Sequence, residues 1–378
     1  MKSKIALVRG KFLNAYEMQI FEPLSKKYDI TAFGSQKPYH EKFSFPVIKL
    51  FSPMDLPEFP KKMSVLNRLF TDAHYLYGLE ERLQGFDIVH TAETYFHYTQ
   101  QALTAKKKGY VKKVVATVLE NIPFNNESLW GRKKFKKRAR EELDHIIALT
   151  ERTKNALILE GTDPEKITVV GHGIDTKRFI PKKNWLKNKK NKTDFTILFS
   201  GRLEMYKGVY EILYAAKLLT QDKSLKNNHF KFLMVGEGNE KNNLLLLEKK
   251  LGIEKFVHHS SVAYDKMPIL YQQADLFWAP SKPTRTYQEQ YCTALLEAQA
   301  AGLPIVTTTS GGIPENIGSA GIFVGSGDFY ALKNAMKDYV LYPEKRIAYA
   351  KKARERAVQV HDIIKISQQI SEVYEKVL

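Results

Sequence analysis

Residues 279–315 read APSKPTRTYQEQYCTALLEAQAAGLPIVTTTSGGIPE, a stretch whose apolar and glycine-rich segments indicate an α/β fold. An apolar strand precedes it, and good helix formers over residues 293–301 predict a helix that Gly302 and Pro304 end. Residues 304–309 then form a second buried strand that opens into a glycine-rich turn. Strand, loop, helix, strand and glycine-rich loop make up half of a nucleotide-binding α/β unit. A ligand of such a unit lies at the carboxyl ends of the strands.

Two carboxylates in this stretch, Glu289 and Glu297, stand eight residues apart with the start of the predicted helix between them. The free N–H groups near residues 291–294 would face whatever occupies the site, and a helix amino terminus favours an anion. An anion between two carboxylates that bind hydroxyl groups describes a nucleotide-diphosphate sugar.

These residues resemble glycosyltransferase family 4 (glycosyl transferases group 1), which are retaining enzymes of the GT-B fold. The family signature is two glutamates separated by seven residues, then Ala-x-Ala-x-Gly-x-Pro and Gly-Gly-x-x-Glu, and the run from Glu289 to Glu315 has every part. The resemblance implies an α/β protein with two Rossmann-like domains facing a deep cleft. It also implies a C-terminal helix that crosses back to the N-terminal domain.

The chain of 378 residues is long enough for two domains of ordinary size. We expect an N-terminal acceptor domain at residues 1–180, joined by the returning C-terminal helix at 362–378. A Lys/Asn-rich linker is expected at 181–193, and a C-terminal donor domain at 194–361.

A second motif follows the first predicted strand of the donor domain. There Arg202 and Lys207 stand five residues apart, framed by Gly201 and Gly208. In the family, an Arg and a Lys in this loop clamp the donor diphosphate, whose charge grows as the glycosidic bond breaks. The resemblance therefore implies catalytic roles for Arg202 and Lys207. Three further residues are expected to lie near the nucleotide: Gly10, Gly236 and Glu237.

The resemblance also gives roles to residues of the opening stretch. Glu297 would accept hydrogen bonds from the ribose, while Glu289 would position the transferred sugar as a third catalytic group. The helix start at Tyr291, Cys292 and Thr293 would contact the phosphates. Cys292 departs from the family, which has a glycine there, so the backbone must approach the phosphate with a Cβ present. We interpret Cys292 as a packing residue.

Candidate acceptor or sugar contacts follow two predicted strands of the first domain. His90 and Glu93 lie at the end of one strand, and Glu120 and Asn121 follow the next. Family members commonly have a histidine after that second strand, near the transferred sugar. Glu120 and Asn121 stand there instead, so the identity of the group over the anomeric carbon is left open.

The net charge of +18 favours polyanions such as nucleic acid, an anionic membrane face or phosphorylated substrates. Residues 130–140, WGRKKFKKRAR, combine seven basic residues with Trp130 and Phe135. They suit either a solvated basic helix or a helix on an anionic membrane surface. We expect no nucleic acid partner, because no nucleic-acid-binding motif accompanies the run. The single cysteine and the absence of a long apolar stretch favour a cytoplasmic protein, peripheral on the inner face of the membrane if the run binds lipid.

The resemblance thus implies a retaining glycosyltransferase, a hexosyltransferase, that moves a sugar from a UDP- or GDP-linked donor to a glycan or lipid-linked acceptor. Because Arg202 and Lys207 supply positive charge, we expect transfer without a metal or other cofactor. Two alternatives remain: a non-catalytic nucleotide-sugar or polyanion-binding module, and a GT-B nucleotide-sugar epimerase.

Overall fold

Two parallel β-sheets organise the chain, and the computed structural model describes residues 2–186 and 192–378. Residue contacts divide the chain into a first unit, Met1–Gly173 with Ile363–Leu378, and a second unit, Ile174–Asp362. The division falls after Gly173, seven residues before the expected end of the first domain. Residues 187–191 of the expected linker lie outside the described residues.

The first unit holds a seven-stranded parallel sheet in the order β3-β2-β1-β4-β5-β6-β7. This order reverses between β1 and β4, and such a switch point is where parallel α/β sheets bind ligands. The strands are β1 (Lys4–Gly10), β2 (Asp29–Ser35), β3 (Val47–Leu50), β4 (Phe86–Ala92), β5 (Val111–Val118), β6 (His145–Ala148) and β7 (Ile167–Val169). The helices along this part of the chain are α1 (Ala15–Met18), α2 (Lys62–Phe70), α3 (Leu79–Arg82), α4 (His97–Lys107), α5 (Arg132–Glu142) and α6 (Glu151–Leu159).

The second unit holds a six-stranded parallel sheet in the order β10-β9-β8-β11-β12-β13. Its switch point lies between β8 and β11. The strands are β8 (Asp194–Ser200), β9 (His229–Val235), β10 (Val257–Ser260), β11 (Leu276–Ala279), β12 (Ile305–Thr308) and β13 (Ile322–Val324). The helices are α7 (Val209–Gln221), α8 (Lys241–Leu251), α9 (Met267–Gln273), α10 (Thr293–Ala300), α11 (Ile313–Ile317), α12 (Phe329–Leu341) and α13 (Pro343–Val360).

The C-terminal helix α14 (Ile363–Val377) belongs to the first unit. Ile366, Ile370 and Tyr374 on one face of this helix are buried in the core that also contains residues of β1 and β2. Burying each such side chain contributes about 1.5–3 kcal/mol. Ile364 points the other way and is 57% exposed, because it lies off the helical stripe formed by the buried residues.

The sequence patterns of residues 16–27 and 64–83 each predict a helix in the first unit, and the structure interrupts both. Residues 16–27 contain only the single turn α1 and a 3-10 turn at Glu22–Lys26, since Pro23 lacks the N–H needed to continue an α-helix. Residues 64–83 were expected to form one helix but contain α2 and α3, separated by an irregular segment. In that segment Asp72 accepts hydrogen bonds from the N–H of His97 (3.0 Å) and from Arg132 (2.8 Å).

Candidate active site

Loops that follow neighbouring strands of the second sheet approach each other at its carboxyl edge. A Cβ on Gly208 would lie 2.1 Å from the carbonyl oxygen of Pro280, in the loop after β11. A Cβ on Gly311 would lie 2.0 Å from the carbonyl oxygen of Glu289. Both glycines also have positive φ, so no other residue fits without moving a loop. The Gly-rich motifs of the sequence therefore bring the loops after β8, β11 and β12 together.

Lys207 and Glu289 meet at this edge. The Nζ atom of Lys207 lies 2.5 Å from Oε1 of Glu289, and the same oxygen accepts a hydrogen bond of 2.6 Å from Ser281 Oγ. The structure thus pairs the predicted phosphate-binding cation with the predicted sugar-binding carboxylate.

Both members of this pair are stabilised in their charged forms relative to their neutral forms. Burial alone would raise the pKa of Glu289, but the Lys207 ammonium and hydrogen bonds from Lys207, Ser281 and Tyr287 hold that pKa below its usual range. Burial lowers the pKa of Lys207, but the charge of Glu289 outweighs it and raises the pKa well above its ordinary value. The pair is therefore ionised near neutral pH.

Two tyrosines flank the Lys207 side chain. The rings of Tyr206 and Tyr287 have centroids 4.1 Å apart, and the Lys207 ammonium lies 5.4 Å from the Tyr287 ring. Arg202 is exposed, with its guanidinium 5.4 Å from the Tyr206 ring. Within residues 2–186 and 192–378 no carboxylate forms a salt bridge with Arg202, which leaves this guanidinium able to bind an anion.

Glu297 lies on α10 and is only 5% exposed. Burial raises its pKa to about 7, and hydrogen bonds from Tyr271 and Tyr264 together with the charge of Arg178 oppose that rise. Arg178 in turn stacks 4.4 Å from the Tyr264 ring and donates to the Tyr264 carbonyl at 2.7 Å. Glu297 therefore changes charge close to neutral pH.

The start of α10 lies between these two carboxylates in the sequence. Cys292 precedes the helix with φ of 60° and ψ of 78°, and Thr293 is the first helical residue. Burial raises the pKa of the Cys292 thiol to about 12, which suits a packing residue. The Tyr291 side chain is buried with its hydroxyl 3.3 Å from Nδ1 of His361, so only the backbone of Tyr291 is placed to contact a ligand.

Gly201, Gly236 and Glu237 lie together at the same edge. A Cβ on Gly236 would lie 2.0 Å from the carbonyl oxygen of Gly201, and the Glu237 carbonyl accepts the N–H of Leu203 at 2.9 Å. The Glu237 side chain is exposed and pairs with Lys241 at 3.0 Å.

In the first unit, Glu93, Glu120 and Asn121 come together at the carboxyl ends of β4 and β5. Oε1 of Glu93 accepts the N–H groups of Leu119 (3.0 Å) and Glu120 (3.2 Å). Burial, reinforced by the charge of Glu120, raises the pKa of Glu93 to about 8. Gly10 ends β1 with φ of 55°, beside the Tyr98 ring.

His90 does not fit an acceptor contact. It lies within β4 and is fully buried, with Nδ1 2.6 Å from the Tyr374 hydroxyl and Nε2 2.7 Å from Oγ1 of Thr117. Because both ring nitrogens are occupied by neighbouring side chains, His90 ties α14 to the sheet instead.

The basic run consists largely of residues with a structural role. Lys136 is 2% exposed and lies 2.5 Å from Glu160, and Arg132 is 2.8 Å from the buried Asp72. Trp130, by contrast, is 78% exposed, and Lys133 and Lys134 are exposed beside it. Lys137 further along the run is exposed as well, so charge is presented to solvent by both parts of the run, while the exposed Trp130 ring belongs to the first part.

The side chains and helices of residues 2–186 and 192–378 bear on metal and membrane binding. No group of three or more His, Cys, Asp or Glu side chains in these ranges could hold a metal ion. In the same part of the chain, no helix is both long enough and apolar enough to cross a membrane.

Several site residues were missed by the sequence analysis. Ser281 and Tyr287 contact the Lys207–Glu289 pair, while Tyr271 and Arg178 surround Glu297. Ser281 comes two residues after the end of β11, so a rule that collected every polar residue at a strand end would have found it. No pattern in the sequence predicts the contact of Arg178 with the site, because Arg178 lies far from Glu297 along the chain.

The chain matches two family models: "Glycosyl transferases group 1" over residues 182–356 and "Glycosyltransferase Family 4" over residues 29–178. Among curated proteins, it is 25% identical over 320 residues to an MMP α-(1→4)-mannosyltransferase of Mycolicibacterium hassiacum, covering 79% of this chain and 73% of that protein. It is 30% identical over 235 residues to a D-inositol 3-phosphate glycosyltransferase of Corynebacterium jeikeium, covering 58% of this chain. The match spans 54% of that relative's length.

Solved structures share the fold. Anabaena HepE in complex with UDP and glucose superimposes with a TM-score of 0.76 at 18% identity, covering 99% of both chains. Sucrose-phosphate synthase from Thermosynechococcus elongatus gives a TM-score of 0.76 at 18% identity, covering 100% of this chain and 99% of that one.

Two Rossmann-like parallel sheets, one carrying paired cationic and acidic groups at its carboxyl edge, define an α/β protein of the GT-B type. The chain belongs to glycosyltransferase family 4, the glycosyl transferases group 1, and is a glycosyltransferase.

Proposed function

We propose that this enzyme is a retaining hexosyltransferase that moves a sugar from a nucleotide-diphosphate donor to a glycan or lipid-linked acceptor. The observation that carries the proposal is the position of Lys207 and Glu289, which meet beside α10 at the carboxyl edge of the second sheet. HepE, which has this fold, was solved with UDP and with UDP-glucose, which favours a UDP-linked donor.

The donor diphosphate would bind Lys207 and Arg202. Lys207 acts as a compact charge and Arg202 can form two parallel hydrogen bonds to phosphate oxygens. Negative charge develops on the leaving diphosphate as the glycosidic bond breaks, and cations already in place stabilise that charge. The backbone N–H groups of Cys292 and Thr293, at the positive end of the α10 helix dipole, would also bind the diphosphate.

The two carboxylates of the site would hold hydroxyl groups. Glu297 accepts hydrogen bonds from the ribose, and Glu289 accepts them from the transferred sugar. Since Lys207 and Ser281 already bind Oε1 of Glu289, that carboxylate is fixed in orientation before the sugar arrives. Glu289 then positions the sugar and keeps its negative charge close to the anomeric centre.

The acceptor would bind the first unit at the ends of β4 and β5, where Glu93, Glu120 and Asn121 offer hydroxyl-binding groups.

We further propose that the enzyme is cytoplasmic and contacts an anionic membrane face through Trp130, Lys133 and Lys134. These three residues are exposed at the start of the basic run, and they combine an interfacial aromatic ring with positive charge.

Donor hydrolysis in EDTA tests the reaction without a known acceptor. We expect slow release of free sugar from one of UDP-, GDP- or ADP-sugars, with the anomeric configuration of the donor seen by proton NMR before mutarotation. Lys207→Ala should lower the rate by about 10²-fold, the scale measured when one charge-stabilising donor is removed. Inverted product, or turnover that requires added Mg²⁺ or Mn²⁺, would contradict retention and metal-independent transfer respectively.

A further inference from the structure

Cys292 holds a backbone conformation that is unfavourable for a residue with a side chain. Its φ of 60° and ψ of 78° lie in the left-handed region. Such a conformation costs a non-glycine residue about 1–2 kcal/mol, and it persists only where neighbouring groups enforce it. Cys292 also joins the Glu289 loop to α10, so its conformation sets the direction of the first N–H groups of that helix.

Asn316 on α11 is the side chain that holds this segment. It is fully buried, and its Nδ2 atom donates to the carbonyl oxygens of Tyr291 (2.5 Å) and Cys292 (3.3 Å). Its Oδ1 atom accepts from Nε2 of Gln299 on α10 at 2.7 Å. One amide thus binds the backbone on both sides of the strained residue and the helix that follows it.

The backbone of Asn316 is fixed as well. Its carbonyl oxygen accepts from Nε of Arg356 at 2.7 Å and from Nε2 of His361 at 2.9 Å. A carbonyl oxygen only accepts, so His361 carries its proton on Nε2 and its Nδ1 faces the Tyr291 hydroxyl. The backbone of Asn316 is therefore fixed by hydrogen bonds, while its side chain binds the backbone of Tyr291 and Cys292.

We propose that Asn316 is a positioning residue for the donor: it holds Cys292 in the left-handed conformation that directs the start of α10 toward the diphosphate. This inference rests on the proposed function. A residue with a general stabilising role would be needed whatever residue stands at position 292. The proposed role instead predicts that Asn316 is no longer needed when residue 292 is glycine, which adopts this conformation without strain.

The test compares the wild type with Cys292→Gly, Asn316→Ala and the double variant. UDP affinity is measured by titration calorimetry, and amide hydrogen exchange is followed over residues 289–295 without nucleotide. We expect Asn316→Ala to weaken UDP binding about tenfold when residue 292 is cysteine, and by no more than about threefold when residue 292 is glycine, with Cys292→Gly as the reference for the double variant. Exchange over residues 289–295 should rise in Asn316→Ala and fall again in the double variant.

Asn14→Ala is the matched control. Asn14 is a buried asparagine in the first unit, where it caps α1 by accepting the N–H of Glu17 at 2.7 Å. Its loss should lower the melting temperature without changing UDP affinity, and Cys292→Gly should not restore that stability. Asn316→Ser serves in the same comparison if Asn316→Ala does not fold.

The inference is overturned if Asn316→Ala has wild-type hydrogen exchange over residues 289–295. It is also overturned if Asn316→Ala weakens UDP binding as much in the Cys292→Gly background as in the wild type. A wild type that binds no UDP, GDP or ADP would instead count against the proposed donor site, while the exchange comparison would still decide the role of Asn316.

Discussion

Glu297 is stabilised in its neutral form in this structure, although its proposed partner is a set of hydroxyl groups that favour a carboxylate. Its pKa of about 7 lies above the ordinary value of 4.5, mainly because the group is buried. Between those two pH values the folded protein keeps a proton that the unfolded chain has released. The free energy of unfolding therefore decreases as pH rises from about 4.5 to 7 on account of Glu297.

Glu297→Gln should remove the free-energy cost of holding the Glu297 carboxylate in a buried position. At pH 8 the variant without ligand is expected to be more stable than the wild type by up to about 3 kcal/mol, and at pH 4.5 the two should be close. The same variant should bind nucleotide more weakly, since an amide is a poorer acceptor than a carboxylate for ribose hydroxyls. Urea denaturation at pH 4.5 and 8, with and without UDP, measures both effects.

Glu289→Gln is the contrasting control. Glu289 is buried against the partly buried Lys207, so removing the charge of Glu289 leaves this ammonium without its partner and should destabilise the protein at pH 8. If Glu297→Gln also lowered stability at pH 8, the assignment of a Glu297 carboxylate that is destabilised by burial would be wrong.

At the scale of elements, the basic run divides into a structural part and an exposed part. Arg132 and Lys136 are buried against Asp72 and Glu160, so their charges are committed to the fold. Trp130, Lys133, Lys134 and Lys137 are exposed, and we propose the first three of these residues for a membrane surface.

Lys133→Glu with Lys134→Glu should weaken binding to vesicles containing phosphatidylserine by tenfold or more, since each basic residue near such a surface contributes about 1 kcal/mol. Trp130→Ala should weaken it further. A matched control reverses the same charge on two adjacent exposed lysines of α8, Lys249→Glu with Lys250→Glu. Equal loss of binding in the control would show a non-specific effect of net charge, and no loss in either variant would contradict the membrane contact.

Elements that carry strong local patterns could be predicted from the sequence. The buried strands β8, β11 and β12 and helix α10 were expected within a few residues of where they lie, because apolar runs and Gly/Pro boundaries define them. The interruption of the expected helix at residues 64–83 was not predictable. It depends on buried hydrogen bonds from His97 and Arg132 to Asp72, which come from distant parts of the chain.

The site residues likewise divide into those that could be predicted from the sequence and those that could not. Lys207, Glu289 and Glu297 lie in motifs whose spacing is visible in the sequence. The role of Asn316 depends on the left-handed backbone of Cys292, and the burial of His90 depends on Tyr374 in α14. Neither relation leaves a pattern along the chain.

At the scale of the whole molecule, the proposed donor contacts lie almost entirely in the second unit, and the proposed acceptor contacts lie in the first. Gly10 is the one expected nucleotide contact in the first unit. The net charge of +18 suits anionic ligands for both units, but surface charge alone does not define a site. What distinguishes a diphosphate site from a general polyanion surface is dependence on the buried Lys207–Glu289 pair.

The most direct test is therefore a thermal unfolding comparison of UDP, UMP and uridine, in EDTA, with the wild type and Lys207→Met. We predict that UDP at about 100 times its Kd stabilises the wild type by about 2.7 kcal/mol and raises Tm by several degrees. Uridine should have little effect, and Lys207→Met should lose the preference for UDP over UMP. If neither UDP nor, in the same assay, GDP or ADP shifted the Tm of the wild type, or if Lys207→Met bound UDP as tightly as the wild type, the proposed donor site would be contradicted.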